Sequence, residues 1–186
     1  AVHDAMQAAY WDPATGLPSR RVARIFLDRE FGMAQRGEDL VAVLFHLEGL
    51  DEIGVKYSQQ FVEQVLNKFG QLLAETTRQM DFVGRFDDED VLALLSGEDP
   101  VGAATFAERI RKKAADFQFE LQDGSMVRSG VVVSAGVAAY GDAMQEASDL
   151  TGAARQAVHR AREMGGGRVV VHGREGVFSG PEGEGA

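Results

Sequence analysis

Residues 85–91 read Arg85-Phe-Asp-Asp-Glu-Asp-Val91, and the apolar run Leu92-Ala-Leu-Leu95 follows directly. Upstream, Asp81-Phe-Val-Gly-Arg-Phe86 is short and mostly apolar or aromatic. Two apolar segments joined by four consecutive acids read as a β-hairpin, with strands over Asp81–Phe86 and Val91–Ser96. The turn itself has two readings. Asp87, Asp88, Glu89 and Asp90 are either a solvated loop or a divalent-cation site. A tight turn rarely converges four neighbouring carboxylates on one ion, so a solvated loop without metal is expected.

Outward from this hairpin, the chain alternates helical and extended patterns. Ala1–Trp11 reads as helical, and Asp12–Pro18 is a turn-rich loop. Pro18 suits the first turn of a helix over Arg20–Arg36. Leu40–Leu47 is apolar and β-branched, a buried strand. Gly49–Gln79 reads as one long helix, with Ile53, Tyr57, Phe61, Val65, Phe69 and Leu72 at helical spacing. Asp99–Asp116 is an amphipathic helix carrying Ala103, Phe106, Ala107 and Ile110 on one face. Val127–Ala139 reads as a strand with a bulge at Gly130 or Gly136. Glu146–Met164 is the last helix, stopped by Gly165-Gly-Gly167, and Arg168–His172 is a short strand. The Gly- and Glu-rich end, Ser179–Ala186, is expected to be disordered. Residues 1–11 are therefore expected to form a linker helix, 12–173 the domain and 174–186 a flexible tail.

Composition narrows the function classes. The chain has 186 residues, 45% of them hydrophobic, enough for one domain with a core. Its formal net charge is −10, which opposes sequence-blind nucleic-acid binding. It contains no cysteine, so neither disulfides nor thiolate chemistry are available. A cytoplasmic location fits this usage. No apolar run is long enough for a membrane span, and no signal peptide is visible. The first residue is Ala1, so an upstream domain joined through the first helix is expected.

Several motifs, in order, resemble the GGDEF family of diguanylate cyclases. Asp12-Pro-Ala-Thr-Gly-Leu-Pro-Ser-Arg-Arg21 is similar to the family's opening D-x-L-T-G-L-x-N-R-R segment, with Ala14 for Leu and Ser19 for Asn. Ser134-Ala-Gly-Val-Ala138 resembles its S-x-G-V-A strand. Gly165-Gly-Gly-Arg-Val169 resembles its G-R-N-x-V ending. The acidic hairpin occupies the place of the family's signature turn. The resemblance covers roughly residues 8–173. It implies an α/β (α+β) fold with a mixed, mainly antiparallel central sheet flanked by helices.

The resemblance also implies that the catalytic positions have degenerated. The two turn glycines, which let backbone approach a nucleotide, are Asp87 and Asp88 here. Carboxylates there would meet a triphosphate with like charge. The family's magnesium-binding Asp at the end of the first strand is His46, a nitrogen donor suited to zinc or copper rather than magnesium. The turn acid survives as Glu89, followed by Asp90. In the family's F-K-x-I-N-D stretch the phosphate-holding Lys is Asp51 and the guanine-reading Asn is Gly54. A second guanine-reading acid is Glu63. The phosphate Lys of the last helix is Arg162, and the Arg after it is Gly166. Phosphoryl transfer rests on positioning and electrostatics, so no cyclase activity, no cofactor and no metal are expected. His46 reads as a satisfied strand-end histidine. His3, His159 and His172 have no partners at metal-ligand spacing.

One binding signature survives. Arg78-Gln-Met-Asp81 is an R-x-x-D whose Arg stands nine positions before Asp87, the spacing of the family's product-inhibition site. Two other R-x-x-D copies, Arg36–Asp39 and Arg85–Asp88, lack that spacing. Ala107-Glu-Arg-Ile-Arg111 matches the family's A-E-R-I-R context and puts Arg109 beside the pair. Guanidinium groups can fork onto guanine O6/N7, bond phosphate bidentately and stack on a purine, and Asp81 can accept from guanine N–H groups. Alternatively, Arg78 and Asp81 form no more than a surface i,i+3 pair. The function implied is a catalytically inactive receptor for cyclic di-GMP. The alternative is a nucleotide-independent interaction or dimerisation module. A residual cyclase is opposed by His46, Asp51 and Gly54. The partners expected are cyclic di-GMP, an upstream domain or protein, and a second copy in a homodimer, with no nucleic acid and no membrane insertion.

Overall fold

A computed structural model describes residues 1–178. The expected disordered end, Ser179–Ala186, lies outside the described residues. Six helices and seven strands follow one another as α1 (Val2–Tyr10), α2 (Arg20–Ala34), β1 (Leu40–Glu48), α3 (Leu50–Lys56), α4 (Gln59–Thr76), β2 (Phe82–Arg85), β3 (Asp90–Ser96), α5 (Pro100–Ala115), β4 (Gln118–Glu120), β5 (Met126–Arg128), β6 (Val132–Ala139), α6 (Ala147–Glu163) and β7 (Val169–Val171). Five strands form one sheet in the order β2-β3-β1-β6-β7, antiparallel except for the β6–β7 pair. Among the described residues no helix is long and apolar enough to cross a membrane.

The sheet is covered on both faces, and strand alternation sorts the core. Val43, Phe45, Ala93, Leu95, Ala135 and Val137 face α4 and α5, where Phe69, Leu73, Ala107 and Ile110 meet them. Ala42, Leu44, Leu92, Leu94 and Ala138 face α2 and α6, against Ala23, Leu27, Phe31, Leu150 and Ala154. Gly136 in β6 lets α6 lie directly on the strand: a Cβ there would overlap the Ala154 carbonyl. Gly70 in α4 does the same for the 12–18 loop, since its Cβ would overlap the Thr15 carbonyl.

Local chemistry moves several boundaries. The 49–79 stretch, expected as one helix, is two. Ser58 adopts extended backbone, and its Oγ accepts from Phe61 N at 3.1 Å, starting α4 afresh. Tyr57 stays apolar-facing by stacking on Phe61 at 4.4 Å, which preserved the misleading periodicity. Helix α4 ends at Thr76, so Arg78 is delivered by the loop before β2 rather than by the helix. Pro18 sits one residue before the α2 cap, Ser19, instead of in the first turn. The 127–139 segment is also interrupted. Gly130, at φ +76°, separates β6 from a small β4–β5 hairpin. That hairpin packs on α4 through Phe119 and Phe61, whose ring centroids lie 5.1 Å apart.

Candidate functional site

The β2–β3 hairpin carries a charged cluster at each end. At its turn, β3 begins at Asp90, so only Asp87, Asp88 and Glu89 remain in the loop, following Phe86. Arg85, nearly buried on β2, folds back into this loop. Its Nε donates to the Asp87 carbonyl at 2.7 Å and its second amino group donates to the Asp88 carbonyl. The remaining amino group reaches Asp12 at 3.1 Å. Asp12 in turn accepts from Thr15 N at 2.8 Å and Thr15 Oγ1 at 2.7 Å. The opening motif is therefore a clasp that locks the turn through Arg85.

The turn is the solvated loop expected only in part: Asp87, Asp88 and Glu89 keep much of their side chains in solvent, whereas Asp90 is buried and paired. Asp90 is 3% exposed and sits opposite His46 in the β1–β3 register. Its carboxylate lies 2.6 Å from His46 Nδ1 and accepts from Arg155 of α6 at 2.9 Å. Burial pushes the Asp90 carboxyl upward, but the hydrogen bonds from His46 and Arg155 outweigh it and hold the group below the ordinary carboxylate value. Arg155 also donates to Asp87 at 2.9 Å and lies 5.7 Å over the Phe86 ring. Asp88 is clamped by Arg20 of α2, whose hydrogen bond lowers the Asp88 carboxyl. Glu89 approaches only His46 Nε2, at 3.6 Å. Four acids are tolerated because three cationic side chains fold onto the turn.

A cavity of about 770 Å³ opens beside this turn. Its lining includes His46, Asp51, Glu63, Asp87, Asp88, Glu89 and Asp90, bringing together seven of the ten positions compared with the family's catalytic residues. Gly54 is not part of that lining; a Cβ there would meet Val62 Cγ2 at 3.4 Å. Six carboxylates face two guanidiniums, Arg85 and Arg155, both already bonded to the turn. Arg162 is elsewhere, donating to Glu48 at 3.1 Å. Sequence reasoning missed Arg155, which is two turns before Arg162 on the same helix face. Heptad spacing on α6 was the available signal. Among the described residues no three His, Asp or Glu side chains converge as a metal ligand set.

At the other end of the hairpin, Arg78, Asp81 and Arg109 line one cleft of about 220 Å³. Arg78 forks onto Asp81, with Nε at 2.9 Å from one oxygen and an amino nitrogen at 3.2 Å from the other. Asp81 also accepts from Ser96 N at 3.3 Å, across the strand ends. The Asp81 side chain is 3% exposed while that of Arg78 is 48% exposed. Asp81 is thus a buried support, and Arg78 is the group that solvent or a ligand meets. The hydrogen bond to Asp81 raises the Arg78 pKa above its ordinary value, fixing its charge. Arg109 stands on α5 with its guanidinium 5.9 Å over Phe106 and makes no ion pair among the described residues. Arg78 and Asp81 do form the i,i+3 pair read from the sequence, and the pair lines a cleft together with Arg109.

Known proteins agree with this fold. The family described as "Diguanylate cyclase, GGDEF domain" matches residues 9–168. Diguanylate cyclase DgcP of Pseudomonas aeruginosa is 28% identical over 176 residues, covering 91% of this chain and 25% of the relative. YhcK of Bacillus subtilis is 30% identical over 166 residues, covering 87% of this chain and 45% of YhcK. The chain thus spans less than half the length of these curated relatives. Among solved structures, the GGDEF domain of DgcB from Caulobacter crescentus, in complex with c-di-GMP, superposes with a TM-score of 0.83 at 19% identity, covering 89% of this chain and 97% of that one. With the family matched over most of its length and the sheet order and helical layers in place, the chain belongs to the GGDEF family.

Proposed function

We propose that this domain is a cyclic di-GMP receptor that does not cyclise GTP. One contrast supports it: at the turn every cation is engaged by the domain's own acids, whereas the cleft of Arg78 also holds Arg109, which makes no ion pair among the described residues. A triphosphate entering the larger cavity would meet Asp51, Glu63 and Glu89 with no unengaged cation on the lining to offset them. Arg85 and Arg155 would have to abandon turn contacts to bind it. Magnesium would find His46 where it wants an oxygen.

The second cleft has the opposite character. A cyclic dinucleotide carries two phosphodiesters and two purine edges. Arg78 presents a partly exposed guanidinium held in position from below by Asp81. Arg109, near the middle of α5 and on the lining of the same cleft, adds a second fork and a planar surface for stacking. The DgcB domain structure, solved with c-di-GMP, makes this ligand the first to try. Asp81 enters this reading as the residue that orients Arg78, because its oxygens are engaged by Arg78 and Ser96.

A nucleotide-independent interaction module is the second reading. The exposed apolar stripe Val2, Met6 and Tyr10 on α1, continued by Trp11, supports it. Calorimetry separates the two. The receptor reading expects saturable binding of cyclic di-GMP at tens of micromolar or below and none of GTP with Mg²⁺. Absence of heat and of a thermal shift with cyclic di-GMP leaves the interaction module standing.

A further inference from the structure

Glu98 stands in the same cleft as the two arginines. It lies in the loop between β3 and α5, directly after Gly97, whose φ of +66° turns the chain. One carboxylate oxygen accepts from Asp99 N at 3.1 Å. The other lies 3.5 Å from the Arg78 amino group. Its side chain is 28% exposed. Gly102, in the first turn of α5, gives it room: a Cβ at that position would overlap the Glu98 carboxylate. The start of α5 therefore leaves space for the Glu98 carboxylate on the wall of the cleft, within reach of Arg78.

We propose that Glu98 is a built-in competitor for the ligand of Arg78, raising the ligand concentration at which the cleft fills. The proposal rests on reading the Arg78–Arg109 cleft as the cyclic di-GMP site. Asp81 and Glu98 both touch Arg78 but differ in kind. Asp81 is buried and bonds the guanidinium through two nitrogens, so it stays when a ligand arrives. Glu98 makes a single longer contact from a partly exposed position, so it is the partner that a phosphate displaces. Once displaced it remains tethered nearby by a short loop and repels the dianion. Because the pair is solvated, the effect is a modest threshold rather than a block.

The test is calorimetry with cyclic di-GMP on the wild-type chain, Glu98→Gln, Arg78→Ala and the double variant, after thermal melts confirm that each is folded. Glu98→Gln is expected to tighten binding roughly two- to fivefold. The gain should shrink as salt is raised and disappear when Arg78 is absent. Unchanged or weaker binding by Glu98→Gln, with Arg78→Ala still impaired, overturns the competitor and leaves the site intact; weaker binding would make Glu98 a reader of the purine edge. An equal gain in the Arg78→Ala background also overturns it, since the effect would then be a diffuse change of charge. No binding by either the wild type or Glu98→Gln overturns the site reading and the competitor together.

Discussion

The two ends of the β2–β3 hairpin are built from the same residue types but differ in what they leave unpaired. β3 has seven residues, so the ends are about 20 Å apart. At the turn end, Arg20, Arg85 and Arg155 are spent on Asp87, Asp88, Asp90 and the turn carbonyls. At the far end, Arg78 is also paired, with the buried Asp81 and more loosely with Glu98, and is as exposed as Arg155; the difference lies in Arg109, which makes no ion pair among the described residues. An arginine near a cleft is therefore not by itself a ligand site. What decides is whether the domain's own carboxylates have already satisfied it.

The largest effect expected is categorical. Purified protein given GTP with Mg²⁺ or Mn²⁺ should form no cyclic di-GMP, as followed by chromatography. The Asp87→Gly/Asp88→Gly double variant should form none either, because His46, Asp51 and Gly54 are unchanged. Turnover that disappears with Glu89→Ala would erase the contrast between the two ends. Next in size, Arg78→Ala should weaken cyclic di-GMP binding roughly ten- to a hundredfold, the scale of a lost charge-assisted hydrogen bond. Arg109→Ala should weaken it less, roughly three- to tenfold. Arg155→Ala should leave it unaltered; a comparable loss would show that the ligand sits at the turn instead.

Stability sharpens the comparison further. Asp90→Ala should cost about 2 kcal/mol in denaturant unfolding, since it strips His46 and Arg155 of a nearly buried acceptor. The folded Asp90 carboxyl titrates below its ordinary value of 3.8. Its contribution is therefore fully present above that value and is lost as pH falls through the lower, folded one. Asp90→Asn should accordingly flatten the acid limb of the stability profile, and an unchanged limb would deny Asp90 this role. The smallest effect should come from Asp88→Asn, whose exposed pair with Arg20 should leave the melting temperature within error.

The sheet was readable in advance where local pattern and burial agree. The apolar runs at 40–47 and 91–96 became β1 and β3 almost residue for residue, because buried strands carry an unbroken apolar signal. The breaks at Ser58 and Gly130 were hidden. Tyr57 and Phe61 keep helical spacing across a gap that only the Ser58 cap reveals, and Val127 lies on a strand of a different sheet from Val132. For the sites, position along the chain brought Arg78, Asp81 and Arg109 together. It could not tell which acids would be neutralised. Arg155 is 65 residues from Asp90 and Arg20 is 68 from Asp88, so these pairs arise only once α2 and α6 have docked.

Those pairs also bear on how the turn can change over evolutionary time. A change to two glycines would pass through single substitutions. Replacing Asp87 removes one of the two acids holding Arg155, and replacing Asp88 removes the partner of Arg20. Arg155 would keep Asp90, whereas Arg20 would lose its carboxylate partner. The arginine clamp thus ties the turn's sequence to α2 and α6: the acids at 87 and 88 meet cations that other elements supply, so neither position changes without changing a contact to a docked helix.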